Sequence, residues 1–165
     1  MKIAAQIKLI SQALAPWAQS EKGSVKIAHD VPHLFKLLGE NAGVVRAAIL
    51  FAGEKPRNAE YSDVIGRVDR EYWIAFSRGY TLESYAGKSL VDGIAGGRPM
   101  FDLIEDARTV LRTAELSDTD ELLPYYHGTE LLTFEGVTLD AYRIEISIAS
   151  ENVIEQNPAL DPQYE

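Results

Sequence analysis

From Thr138 to Ala149 apolar and polar side chains alternate. Tyr142, Ile144, Ile146 and Ile148 share one parity, and Arg143, Glu145 and Ser147 share the other. Successive strand side chains point to opposite faces, so this segment reads as a strand with one face in a core. A second such segment runs from Ser62 to Ser77. There Val64, Val68, Tyr72, Ile74 and Phe76 share one parity, interrupted by Gly66 and Arg70. Ile65, Arg67, Asp69, Glu71, Trp73 and Ala75 share the other, which is largely charged until Trp73. Val44 to Ala52 is rich in Val, Ile, Leu and Phe and is bounded by turn residues. It predicts a buried strand that pairs with the second segment as an antiparallel unit, one face covered.

Two helices are predicted to do the covering. Ile3, Ile7, Ile10, Leu14 and Trp17 recur at spacings of four and three, the stripe of an amphipathic helix over residues 2–20. Pro16 is expected to end or kink it, because proline lacks the amide that a helix interior uses. Met100, Leu103, Ile104, Ala107, Val110 and Leu111 make the second stripe, over 99–116, with Pro99 suited to its first turn. Asp102, Glu105 and Asp106 early and Arg108 and Arg112 late complement the helix dipole. Shorter elements are a strand at Val25–Ala28, a helix at His33–Leu38 capped near Asp30, and a strand at Pro124–Phe134 with a bulge at Gly128.

The order of elements predicts an α+β domain. Its mainly antiparallel, mixed β-sheet carries the two main amphipathic helices on one face. Residues 1–150 form one domain, the usual size for 165 residues. Residues 79–97 carry five glycines and few core residues and read as a long loop with a helical turn at 82–85; 117–121 are an acidic turn. Residues 151–165, with two prolines and four acids, read as an extended or disordered acidic tail.

Charge narrows the function classes. Residues 1–114 hold 15 basic and 13 acidic side chains, and residues 115–165 hold one basic and 12 acidic, together a net charge of −9. Sequence-specific nucleic-acid binding is not expected of so acidic a chain, because phosphate contacts need clustered Lys and Arg. The chain has no cysteine, so it has neither disulfides nor thiolate metal sites. The longest apolar run contains Arg46 and is far shorter than a membrane span. Ala13-Leu14-Ala15 imitates a signal-cleavage site, but Gln6, Lys8, Ser11 and Gln12 break the apolar run that export requires. An intracellular protein is expected.

Motifs that carry chemistry are not completed. Gly87-Lys88-Ser89 lacks the first glycine of a phosphate-binding loop, Leu82 standing in its place. His29 and His33 are four apart, but Pro32 lies between them and the Glu of a zinc protease is missing. His127 lies near Glu130, Tyr125 and Tyr126 without a nucleophile at a meaningful spacing. No enzyme activity, cofactor or metal is expected. The aromatic-plus-arginine set of Tyr72, Trp73, Phe76, Tyr80 and Tyr85 with Arg67, Arg70 and Arg78 fits a protein interface better than nucleic acid.

The order of these elements also carries a family likeness. An N-terminal amphipathic helix, Lys2 to Gln19, precedes the strand pair. A helix opens Arg98-Pro99-Met100 after a loop. The chain then closes with Pro124-Tyr125-Tyr126-His127-Gly128-Thr129-Glu130-Leu131, a turn at Gly136 and Ala141-Tyr142-Arg143-Ile144-Glu145-Ile146. Over roughly residues 1–150 this pattern resembles the small tail-terminator, or tail-completion, proteins of long-tailed bacteriophages, including minor tail proteins of Mu-like prophages. The resemblance implies a structural virion protein assembled in the host cytoplasm. Its hexameric ring caps the tail tube protein and meets the head connector proteins in the neck. A head-completion protein of the same virion is the nearest alternative, and a small cytoplasmic ligand-binding α+β domain is the alternative of a different class.

A ring uses two unlike surfaces of each subunit, which segregated charge would suit. The expected interface sets Arg46, Arg57, Arg67 and Arg70, beside Trp73, against Asp118, Asp120, Glu121 and Glu135 of a neighbour. Acids of residues 115–165 are also expected to line the lumen, where they would repel sliding DNA.

Overall fold

A computed structural model of the protein describes residues 1–20, 23–39, 45–56, 65–79, 87–93, 98–117, 119, 123–134 and 139–153. Its elements are α1 (Ile3–Ser20), β1 (Ser24–Ala28), α2 (Val31–Leu38), β2 (Val45–Pro56), β3 (Ile65–Gly79), α3 (Lys88–Val91), α4 (Met100–Thr113), β4 (Tyr125–Leu131) and β5 (Leu139–Val153). The five strands form one sheet in the order β1-β2-β3-β5-β4. β1 and β2 are parallel, joined through α2, and every other pairing is antiparallel. This is the expected α+β class with a mixed sheet.

Alternation decides the faces. Tyr72, Ile74 and Phe76 of β3 lie beside Ile146, Ile144 and Tyr142 of β5. With Val45, Ala47 and Ile49 of β2, they build the main core against Ile10, Leu14 and Trp17 of α1 and Met100, Leu103, Ile104, Ala107 and Leu111 of α4. Both main helices therefore share one face. Trp17 meets Phe76 edge to face at 5.2 Å, and its indole N–H donates to the Leu103 carbonyl at 2.9 Å, joining α1 to α4. Burying each large aliphatic side chain in this layer contributes roughly 1.5–3 kcal/mol.

The short helix takes the other face. Leu34 and Leu38 of α2 pack on Ala28, Ala48, Leu50 and Ala75. Asp30 caps α2, its carboxylate accepting the His33 amide at 2.8 Å. The Ser77 hydroxyl donates to the Leu38 carbonyl at 2.8 Å and ties the end of the helix to β3.

Several expectations need correcting. Of the end or kink expected at Pro16 the end is not seen, and α1 runs on to Ser20 as the stripe over 2–20 predicts. Trp17 and Ala18 are buried beyond the proline, and that packing offsets the lost backbone bond. The 79–97 stretch is not all loop, because α3 occupies Lys88–Val91 and its buried Ser89 donates to the Asp140 carboxylate. The turn expected at 82–85 lies outside the described residues. β5 continues past Ala149 to Val153, paired throughout with β3, so residues 151–153 belong to the sheet. The expected bulge at Gly128 is present, between Tyr126 and Gly128, and a second lies between Phe51 and Gly53. Gly128 and Gly53 have φ of 151° and 129°, conformations that side chains disfavour.

Gly23 enters β1 where a Cβ would lie 2.3 Å from the Val45 carbonyl oxygen. Backbone cannot move aside there without breaking the parallel pairing. Gly23→Ala should therefore lose about 1–3 kcal/mol in urea unfolding. Gly39→Ala, whose Cβ would meet the Phe35 oxygen at an ordinary 3.4 Å, should stay within about 0.5 kcal/mol. Equal effects at the two glycines would contradict this packing.

Candidate assembly interface

The strand order turns a charge split along the chain into a charge split across the sheet. β1, β2 and β3 carry six basic side chains (Lys26, Arg46, Lys55, Arg67, Arg70, Arg78) against three acidic ones. β5 and β4 carry one basic side chain, Arg143, against four acidic ones (Asp140, Glu145, Glu151, Glu130). One lateral half of the sheet is thus basic and the other acidic.

Of the expected interface residues, Arg57, Asp118, Asp120, Glu121 and Glu135 lie outside the described residues. Arg46 is half-buried on the α2 face beside Ser77, Arg67 is exposed, and both already make contacts within the chain. Trp73 is half-buried, with the Arg143 guanidinium 3.7 Å above its ring. Arg143 also bonds Glu130 at 2.6 Å and lies 3.4 Å from Glu145. Trp73 therefore meets the one arginine of the acidic half rather than the arginines of its own.

Arg70 has to leave the interface set. It is 5% exposed and sits on the core face of β3. Its guanidinium donates to the Met1 carbonyl at 2.6 Å, to Gln6 Oε1 at 3.2 Å and to Glu54 at 3.2 Å. The Tyr72 hydroxyl also donates to Gln6 Oε1, at 2.8 Å, and the Gln6 amide nitrogen donates to Ser150 Oγ at 2.6 Å. This network closes the open end of the core by joining α1, β2, β3 and β5. A buried arginine is tolerable only with such partners, since desolvating an unpaired charge is prohibitive. Burial holds the Tyr72 pKa above the ordinary tyrosine range; Arg70 pulls it down without overcoming that, and Glu54 adds to the rise.

The edges hold what the sequence reading passed over. β4 is the last strand on the acidic side, and Leu123, Tyr125, Tyr126 and Leu131 are all exposed there, Leu131 at 63%. Between β4 and α4 lies a groove of about 560 Å³ floored by Ile144 and Ile146 and lined by Tyr125, Tyr126, Arg108 and Arg112. The Arg108 guanidinium stacks 4.3 Å from the Tyr126 ring centre. At the opposite edge β1 exposes Ile27 at 52%, with Val31 nearby. The Tyr125-Tyr126 pair was the available signal. Adjacent strand residues face opposite ways, so only one tyrosine of such a pair can be taken up by a single core.

Two histidine arrangements are also clear. His127 Nε2 lies 2.7 Å from Ser147 Oγ across β4 and β5, which supplies the hydroxyl partner that spacing alone did not reveal. Ser147 is buried on β5, and among the described residues no carboxylate orients the ring, so the bond pins the bulged strand to its neighbour. The His29 amide donates to His33 Nδ1 at 3.2 Å. Among the described residues no three metal-binding side chains converge, and no helix is long and apolar enough to cross a membrane.

No protein-family model matches the chain, and no curated protein sequence matches it.

The core-end network carries a pH dependence. A hydroxyl with its pKa raised on folding contributes stability below the unfolded value, about 10, and loses it as pH climbs above that. The native chain should exceed Tyr72→Phe in melting temperature at pH 8, and the gap should narrow as pH rises past 10. A constant gap would show that the hydroxyl is not held neutral by the core.

Proposed function

We propose that this chain is a ring-forming structural subunit of a long-tailed bacteriophage or prophage, a tail terminator that closes the tail tube and presents a surface to the head connector. One observation carries the reading. The sheet ends in two unlike lateral edges, a basic side exposing Ile27 and an acidic side exposing Leu123, Tyr125 and Leu131. Scattered surface apolar residues are ordinary, but large ones gathered along an open strand edge invite a partner. Unlike edges suit a head-to-tail contact, and such contacts close into a ring when the rotation permits. The family resemblance sets the expected closure at six.

In this reading apolar burial at the edges supplies affinity. The opposed charges speed and orient encounter, the usual division of labour between core and rim. Those acids of residues 115–165 that neither the edge contact nor the chain's own arginines use face a lumen through which DNA slides, and repulsion keeps phosphates from adhering. Helices α1 and α4 lie on one face of the sheet, and among the described residues no further strand pairs with the outer side of β1 or β4.

Complementation tests the head-to-tail geometry. Native mass spectrometry should give a hexamer for the unaltered chain. Ile27→Glu and Leu131→Glu should each give monomers, since every interface uses both edges. Mixing the two variants should restore one intact interface and give a heterodimer. A two-fold dimer that survives either single change would contradict the reading.

A further inference from the structure

The groove between α4 and β4 has a chemistry of its own. Its floor is apolar, Ile144 and Ile146, and its walls are aromatic, Tyr125 and Tyr126. Arg108 and Arg112 project into it from successive turns of α4, against a single acid, Glu105. Arg108 is already stacked on Tyr126, which fixes its plane and leaves its outer N–H groups for an anion. Among the described residues Arg112 has no ion-pair partner. An apolar floor, tyrosine walls and two arginines suit an extended acidic peptide that carries proline. Aromatic-lined grooves take such backbones without a large ordering cost, and arginine takes carboxylates.

The chain itself contains a segment of that description. Residues 154–165 hold Glu155, Asp161 and Glu165 and no basic residue, with Pro158 and Pro162 and the apolar Ile154, Leu160 and Tyr164. Proline disfavours helix at and just before its own position, so this composition favours extended backbone. We propose that residues 154–165 of one subunit bind in the α4–β4 groove of the next, as a strap across the ring contact. β5 argues for a neighbour over the subunit's own groove. The groove lies at Ile144 and Ile146, and β5 runs seven residues past Ile146 to Val153, about 24 Å in the other direction. Twelve residues span at most about 40 Å, so a return to the same subunit would use most of the segment in doubling back. The inference rests on the ring reading and adds a second contact to the edges.

Photo-crosslinking in the full chain tests it. A benzophenone side chain is placed at Thr109, an exposed residue on the groove wall. Subunits grown in light and heavy nitrogen are mixed, irradiated and digested. The expected products join position 109 to peptides from 154–165, in mixed-isotope pairs. Arg108→Glu with Arg112→Glu should lower their yield about fivefold or more, with the melting temperature confirming the fold. Same-isotope products only would assign the groove to the subunit's own segment and overturn the proposal, as would crosslinks solely elsewhere or none. The native mass of the same sample separates the two readings. A hexamer without crosslinks to 154–165 sinks the strap and leaves the ring, and mixed-isotope crosslinks from a dimer uphold the strap and sink the ring.

Discussion

The seam between β3 and β5 is what the rest of the molecule hangs on. Each strand is 15 residues long, and they are paired from Ile65 opposite Val153 to Gly79 opposite Leu139. A slip of one residue would turn Ile144, Ile146 and Ile148 out of the core and bring Arg143 and Glu145 in. The register is therefore held by hydrophobic burial from Tyr72 to Phe76 and from Ile144 to Ile148, under α1 and α4. The same seam joins the basic part of the chain to the acidic part. Because β5 pairs with β3, and β4 lies outside it, the two ends of the sheet carry unlike charge and face away from each other.

One exception to the apolar core face is informative. Arg70 falls in register with Tyr72 and Ile74, where alternation demands an apolar side chain, and the chain answers with a built network. Gln6 reaches down from α1, Glu54 comes from beyond the β2 bulge, and Ser150 comes from the far end of β5. Gln6 lies on the buried stripe of α1, one position before Ile7, so the helix and the strand each break their pattern at the same place. Such matched breaks are how a polar group is accommodated in a core without being left unsatisfied.

Much of this was legible in the residues, and the rest was hidden for definite physical reasons. Period-2 alternation in 138–149 and 62–77 announced the central strands and their core faces, and the stripes from Ile3 to Trp17 and Met100 to Leu111 announced the helices. The role of Arg70 was not legible, because its partners lie 16 to 69 residues away and only the fold brings them together. Pro16 does not end α1, because the burial of Trp17 and Ala18 beyond it outweighs a local penalty. The α4–β4 groove was invisible because only the fold sets its two sides, on successive elements, over a floor from β5. Each of its residues has an ordinary local explanation as helix surface or strand.

The proposed assembly has the two unlike edges of the sheet meet on successive copies, each presented in the same sense. Concentration-dependent hydrogen–deuterium exchange measures this directly. As subunit concentration rises through assembly, the outward amides of β1 and those of β4 should gain protection together, at one midpoint. Protection at β4 alone, or at neither edge, would contradict the head-to-tail account.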